Sequence, residues 1–80
     1  MRRIDVQKLF TRLISFEYEL LKYINEKQGS ESRPFDFSKA ADDLKVDRRQ
    51  IFNAHRRLVS GGVLIADGEN FKINEEIYKV

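Results

Sequence analysis

Residues 38–62 constrain the fold of this 80-residue chain more than any other stretch. Ser38 is a good N-cap, and Ala40, Ala41 and Leu44 then fall on one side of a short helix ending near Leu44. Lys45-Val46 makes a turn. Asp47 caps a second helix, and Gln50, three residues later, completes a capping-box spacing. That helix is predicted over residues 48–59. Ile51 stands at the centre of its inner side, with His55 and Leu58 within about 40° of it on a 100° wheel and Ala54 and Val59 flanking them. Gly61-Gly62 stops it. Two short amphipathic helices joined by so tight a turn can bury their apolar stripes only against each other and one further layer.

The flanks supply that layer. Residues 4–28 read as one long helix. Leu9, Leu13, Phe16, Leu20 and Tyr23 form one stripe, and Phe10, Ile14, Leu21 and Ile24 a second beside it. The two cover roughly half the circumference, more than one small core needs. The first stripe is therefore assigned to a homodimer interface. Glu17 sits inside the arc, where a carboxylate needs a partner. Arg12 is the candidate, or a wet subunit boundary. Gly29 ends the helix, and Pro34 keeps the following loop out of helix. Phe35-Asp36-Phe37 alternates like a very short strand. Val63–Ala66 and Phe71–Ile73, separated by Asp67-Gly68-Glu69-Asn70, read as a β-hairpin over residues 62–73. The first short strand can close a three-stranded sheet with it. Residues 74–80 are a tail with one helical turn capped by Asn74. The expected class is α+β, mostly helical, in the order helix, strand, helix, helix, hairpin, as a single domain over residues 1–80.

Charge singles out one element. The chain carries 15 Lys and Arg against 13 Asp and Glu, a net charge of only +2. Residues 48–60 nevertheless hold four arginines and no acid, whereas residues 28–47 and 61–80 each carry more acids than bases. A cationic patch confined to one helix points to a directed partner. On the side of that helix opposite Ile51 lie Arg49, Gln50, Asn53, Arg56 and Arg57. Arg can donate twice to guanine, and Asn or Gln can bond two atoms of adenine. Arg49, Gln50 and Asn53 are therefore assigned to base edges in the major groove of double-stranded DNA. Arg48, Arg56 and Arg57 are assigned to phosphates. Lys39 on the preceding helix and Lys72 in the hairpin are the other candidate DNA contacts. The bland alternative for the arginines is a solvated face.

Six further residues have two readings each. His55 reads as a core histidine with one hydrogen-bonded nitrogen, with a pH switch as the alternative. Phe52, at the edge of the buried arc, reads as core, with contact to a thymine methyl as the alternative. Tyr18 and Tyr23 read as packing or dimer contacts in preference to stacking on single strands. Arg2 and Arg3 are either an arm reaching DNA or an ordinary charged start.

Ala40, Leu44, Val46, Ile51 and Ala54, followed by the passage Arg56-Arg57-Leu58-Val59-Ser60-Gly61-Gly62-Val63-Leu64-Ile65, resemble the winged helix-turn-helix family of DNA-binding proteins. The resemblance spans about residues 35–73. With the long first helix it is similar to the compact archaeal and archaeal-virus members and, distantly, to MarR-type dimeric repressors. It implies a transcription regulator, a homodimer with its second motif helix in the major groove. Two positions depart from the pattern. Lys45 stands where many members have glycine, which implies a less tight turn. The hairpin tip is acidic where many members carry Arg or Lys.

Other functions have less in the sequence to carry them. The same fold also serves as a protein-interaction adaptor, and a plasmid or viral replication or partition protein would use the same face. No nucleophile stands beside a positioned base, Asp42 and Asp43 point apart, and Gly61-Gly62 closes a helix where a phosphate loop would open one, so an enzyme is not expected. Cysteine is absent and His55 is the sole histidine, so no metal site or other cofactor is expected. No pocket signature for a small molecule is evident. No apolar run is long enough for a membrane span and no signal peptide precedes the first helix, so the expected location is cytoplasmic.

Overall fold

The computed structural model describes Ile4 and residues 15–78. Within them the chain is α+β and mostly helical, with three α-helices and one two-stranded antiparallel hairpin. Helix α1 spans Ser15–Gln28, α2 spans Phe37–Leu44 and α3 spans Arg48–Ser60. Strands β1 (Leu64–Asp67) and β2 (Asn70–Ile73) follow, then a 3-10 turn at Glu75–Ile77. No helix among the described residues is long and apolar enough to cross a membrane.

The core collects one side of each element. Leu20, Leu21 and Ile24 come from α1, Ala40 and Ala41 from α2, Ile51, Ala54 and Leu58 from α3, and Val63, Leu64 and Ile73 from the hairpin. These are the inner positions that the helical spacing picked out in α2 and α3. In α1 the outcome differs. Leu20, assigned to a dimer stripe, is fully buried in the chain's own core. Phe16 and Tyr23 are half-buried and pack against that core. Leu9 and Leu13 lie outside the described residues, as does Arg12. A 100° wheel sums the apolar arc but cannot divide it between one's own core and a partner. Nor does a helix begin at Ile4, which forms an antiparallel bridge with Tyr78.

The ends of the elements are set by local chemistry. Both α2 and α3 close in the same way. After α3, Gly62 takes a φ of +78°, Val63 N–H donates to the Leu58 carbonyl at 2.9 Å, and Gly62 N–H donates to Val59 at 3.1 Å. Buried Val63 and Leu58 add the apolar contact that accompanies this ending. After α2, Val46 N–H donates to Ala41 at 3.0 Å and Lys45 N–H to Asp42 at 3.3 Å, with Lys45 itself at φ +57°. The absence of glycine therefore does not loosen the turn. Lysine adopts the left-handed conformation, at about 1–2 kcal/mol for an L-residue.

Two caps differ from expectation. Asp36, not Ser38, caps α2: it is extended, and its Oδ1 accepts from Lys39 N–H at 3.0 Å. Asp47 stands at the N-cap of α3 but makes no side-chain cap bond, so the capping box does not close. The predicted strand at 35–37 is absent for a related reason. The third-strand pairing lies earlier and is one residue long, with Arg33 and Phe71 exchanging backbone bonds of 3.0 and 2.8 Å. Further on, Asp36 turns the chain into α2 and ends the pairing.

In the hairpin, Leu64 pairs with Ile73 and Asp67 with Asn70, leaving a two-residue turn at Gly68-Glu69. Gly68 has φ +63° and Glu69 is not left-handed, the pattern of a type II′ turn. The tail behaves as its sequence suggests: the Asn74 side chain accepts from Glu76 N–H at 3.0 Å and caps the 3-10 turn. Tyr78 then returns to α1, where its buried hydroxyl donates to Asn25 Oδ1 at 2.9 Å.

Candidate nucleic-acid interface

Helix α3 is held on its inner side and along one flank, and one exposed ring touches α2. Ile51, Ala54, His55 and Leu58 bury its inner face. On one flank Arg57 Nη1 donates to Glu17 Oε2 of α1 at 3.2 Å. On the other, the Phe52 ring lies 5.9 Å from the Phe37 ring at the start of α2. What remains outward is Arg48, Arg49, Gln50 and Arg56, all exposed, with half-buried Asn53 among them. Arg48, Arg49 and Arg56 form no ion pair with another described residue. Arg49 and Arg56, seven residues apart, are separated by about 10 Å along the axis at ~1.5 Å per residue.

Arg57, assigned to phosphates, also makes an ion pair within the chain. Its guanidinium partners a carboxylate that is only 4% exposed. It neutralises Glu17 and ties α3 to α1, while Arg12, the predicted partner of Glu17, lies outside the described residues. Neither residue's local sequence announces the other, since they stand 40 positions apart. The sole signal was that a carboxylate inside an apolar arc demands a cation.

Lys39 is exposed on α2, with Nζ 3.9 Å from Asp43 Oδ2. Asp43 also accepts from the Tyr23 hydroxyl at 2.7 Å. Burial, together with this carboxylate, pushes the Tyr23 phenol up to about 12, and the phenol's hydrogen bond lowers the Asp43 carboxyl. Tyr23 thus links α1 to α2 within one chain. Lys72 is half-buried on β2, paired across the hairpin with exposed Ile65. The hairpin tip presents exposed Asp67 and Glu69, with Ser32 Oγ donating to Asp67 Oδ2 at 3.5 Å.

His55 is the pin of this assembly. It is 4% exposed and lies in an aromatic box. Phe35 stacks on it at 4.6 Å, while Phe37 and Phe71 meet it edgewise at 5.1 and 4.5 Å. The expected hydrogen-bonded nitrogen is not what the box provides at Nε2, which is buried and has no partner among the described residues. Burial alone lowers its pKa to about 4, so the ring is neutral near pH 7. Phe52, assigned to the core, is 53% exposed. The box is already filled by Phe35, Phe37 and Phe71, which leaves Phe52 on the rim.

A cavity of about 260 Å³ opens between the end of α1 and the start of α2, lined by Tyr23, Lys27, Arg33, Phe35, Asp36 and Lys39 among others. Two of its cations are engaged within the chain, Arg33 with Glu31 and Lys39 with Asp43. No group of His, Asp or Glu side chains suited to holding a metal ion occurs among the described residues. No family model, curated protein or solved structure matches this chain.

Proposed function

We propose that the chain is a winged helix-turn-helix protein that binds double-stranded DNA and regulates transcription as a homodimer, with α3 in the major groove. One observation carries the reading. Arg48, Arg49 and Arg56 stand exposed and unpaired among the described residues, beside Gln50 and Asn53, on a helix whose inner side and Arg57 flank are anchored. A rigid helix of that composition suits groove entry, with Arg49, Gln50 and Asn53 at base edges and Arg48 and Arg56 at phosphates. Regulation would be steric, by occupation of an operator. The second copy would meet the α1 side, where Phe16 and Tyr23 keep part of their rings exposed. Its two-fold axis would demand a roughly palindromic site with half-sites about one turn apart.

The test is a fluorescence-anisotropy titration of duplex DNA against the full chain at several salt concentrations. Three arginines per protomer make six in a dimer. If each neutralises one phosphate, affinity falls about a thousandfold between 50 and 200 mM salt. Absence of binding at 50 mM salt, or a flat response, refutes the proposal. Sedimentation equilibrium on the same sample reads the dimer as twice the 9.5 kDa chain mass. The exposed acids at the hairpin tip favour a second reading, a protein-interaction adaptor on the same fold. A duplex left unbound at low salt selects it.

A further inference from the structure

We propose that Phe52 reads thymine, its ring packing on the 5-methyl group in the groove that α3 enters. This rests on the DNA-binding reading above and adds to it a specificity-determining contact that the polar face does not supply.

Three observations lead there. Phe52 is 53% exposed, one of two large apolar side chains so exposed among the described residues. Burial therefore does not account for a phenylalanine at this position. Its place on the helix is also particular. Arg48 and Arg49 precede it by one turn and Arg56 follows by one turn, so all three share its face. On a 100° wheel it falls about 40° from Arg48 and from Arg56. An apolar ring thus sits inside the cationic patch. Third, the ring is braced from behind. Phe37, the first residue of α2, holds it at 5.9 Å with a 47° tilt, and Phe37 in turn packs on the His55 box. The ring is braced on one side and open to solvent over about half its surface.

The partner chemistry follows from this neighbourhood. Arginines on the same face draw in a polyanion, so whatever meets the ring is part of that polyanion or lies beside it. In the major groove, the thymine methyl is the apolar group that base pairs present. Adenine, guanine and cytosine present donors and acceptors there, which a phenyl ring would desolvate without compensation. The ring therefore discriminates in favour of thymine and against the other three bases, next to positions read by Arg49 or Asn53.

The experiment compares thymine with uracil, which pairs identically and lacks only the methyl. A duplex selected from a random pool by the full chain is resynthesised with deoxyuridine replacing thymine, one position at a time. The unaltered chain is expected to lose about fourfold in affinity at one position per half-site, the effect of one buried methyl group. Phe52→Ala should bind the thymine duplex more weakly and should no longer tell thymine from uracil. Phe52→Leu, which keeps an apolar side chain, should retain a preference for thymine, and it guards against a folding defect in the alanine variant. Indifference of the unaltered chain to every replacement overturns the proposal. So does discrimination that survives in Phe52→Ala, or a selected site with no thymine in contact. Failure to select or bind any duplex at 50 mM salt removes the DNA reading itself. Binding without the methyl effect removes the Phe52 assignment alone.

Discussion

Acid should destabilise this protein through its one histidine. His55 is buried among Phe35, Phe37 and Phe71 with Nε2 unpartnered among the described residues, and burial lowers its pKa from 6.5 to about 4. The folded chain therefore keeps the ring neutral in a range where the unfolded chain takes up a proton. Stability from this source is fully present above pH 6.5, declines as pH falls, and levels off below about 4, where the folded ring also protonates. At about 1.4 kcal/mol per pH unit, the interval from 6.5 to about 4 is worth about 3 kcal/mol. Against a typical total of about 5–15 kcal/mol for a small domain, that is a large share. The assay is urea denaturation at pH 7, 6, 5 and 4 for the parent and for His55→Phe, which keeps a ring in the box and removes the titration. Carboxylates common to both proteins cancel in the difference. The parent should lose about 3 kcal/mol more than the variant across this range, and the variant should be at least as stable at pH 7. Parallel stability–pH curves would refute the reasoning, as would an NMR titration placing the imidazole at 6.5 or above.

Two further substitutions check the packing. Arg57→Ala leaves the buried Glu17 carboxylate without its guanidinium and should destabilise the fold by roughly 1–3 kcal/mol. Adding Glu17→Gln should recover part of that loss, and an unchanged urea midpoint in the single variant would show the pair to be energetically idle. Lys45→Gly relieves a left-handed lysine at φ +57° and should stabilise by about 0.5–1 kcal/mol, allowing for glycine's greater freedom when unfolded. A lower thermal midpoint in Lys45→Gly would contradict that conformation.

Elements defined by neighbours in sequence were legible from the sequence. The inner faces of α2 and α3, the Gly62 ending, the hairpin and the Asn74 cap each depend on spacing or turn chemistry within a few residues. The outward placing of Arg49, Asn53 and Arg56 was legible for the same reason: they fall opposite Ile51 because 3.6 residues make a turn. Local pattern misled where two short-range options compete. Ser38 and Asp36 can both cap α2, and it is Asp36 that takes the bond from Lys39 N–H.

Tertiary structure alone decided the contacts between residues far apart in sequence. Only the fold brings Glu17 of α1 against Arg57, and Leu20 reads as a subunit contact until the core closes over it. His55 reads as a core histidine and is one, but only the fold shows that Phe35, Phe37 and Phe71 surround it, and Phe52 reads as core until those same rings have taken the space. Periodicity states which side of a helix is apolar. Which apolar groups are enclosed, and which charges are cancelled, depends on what the other elements place opposite them.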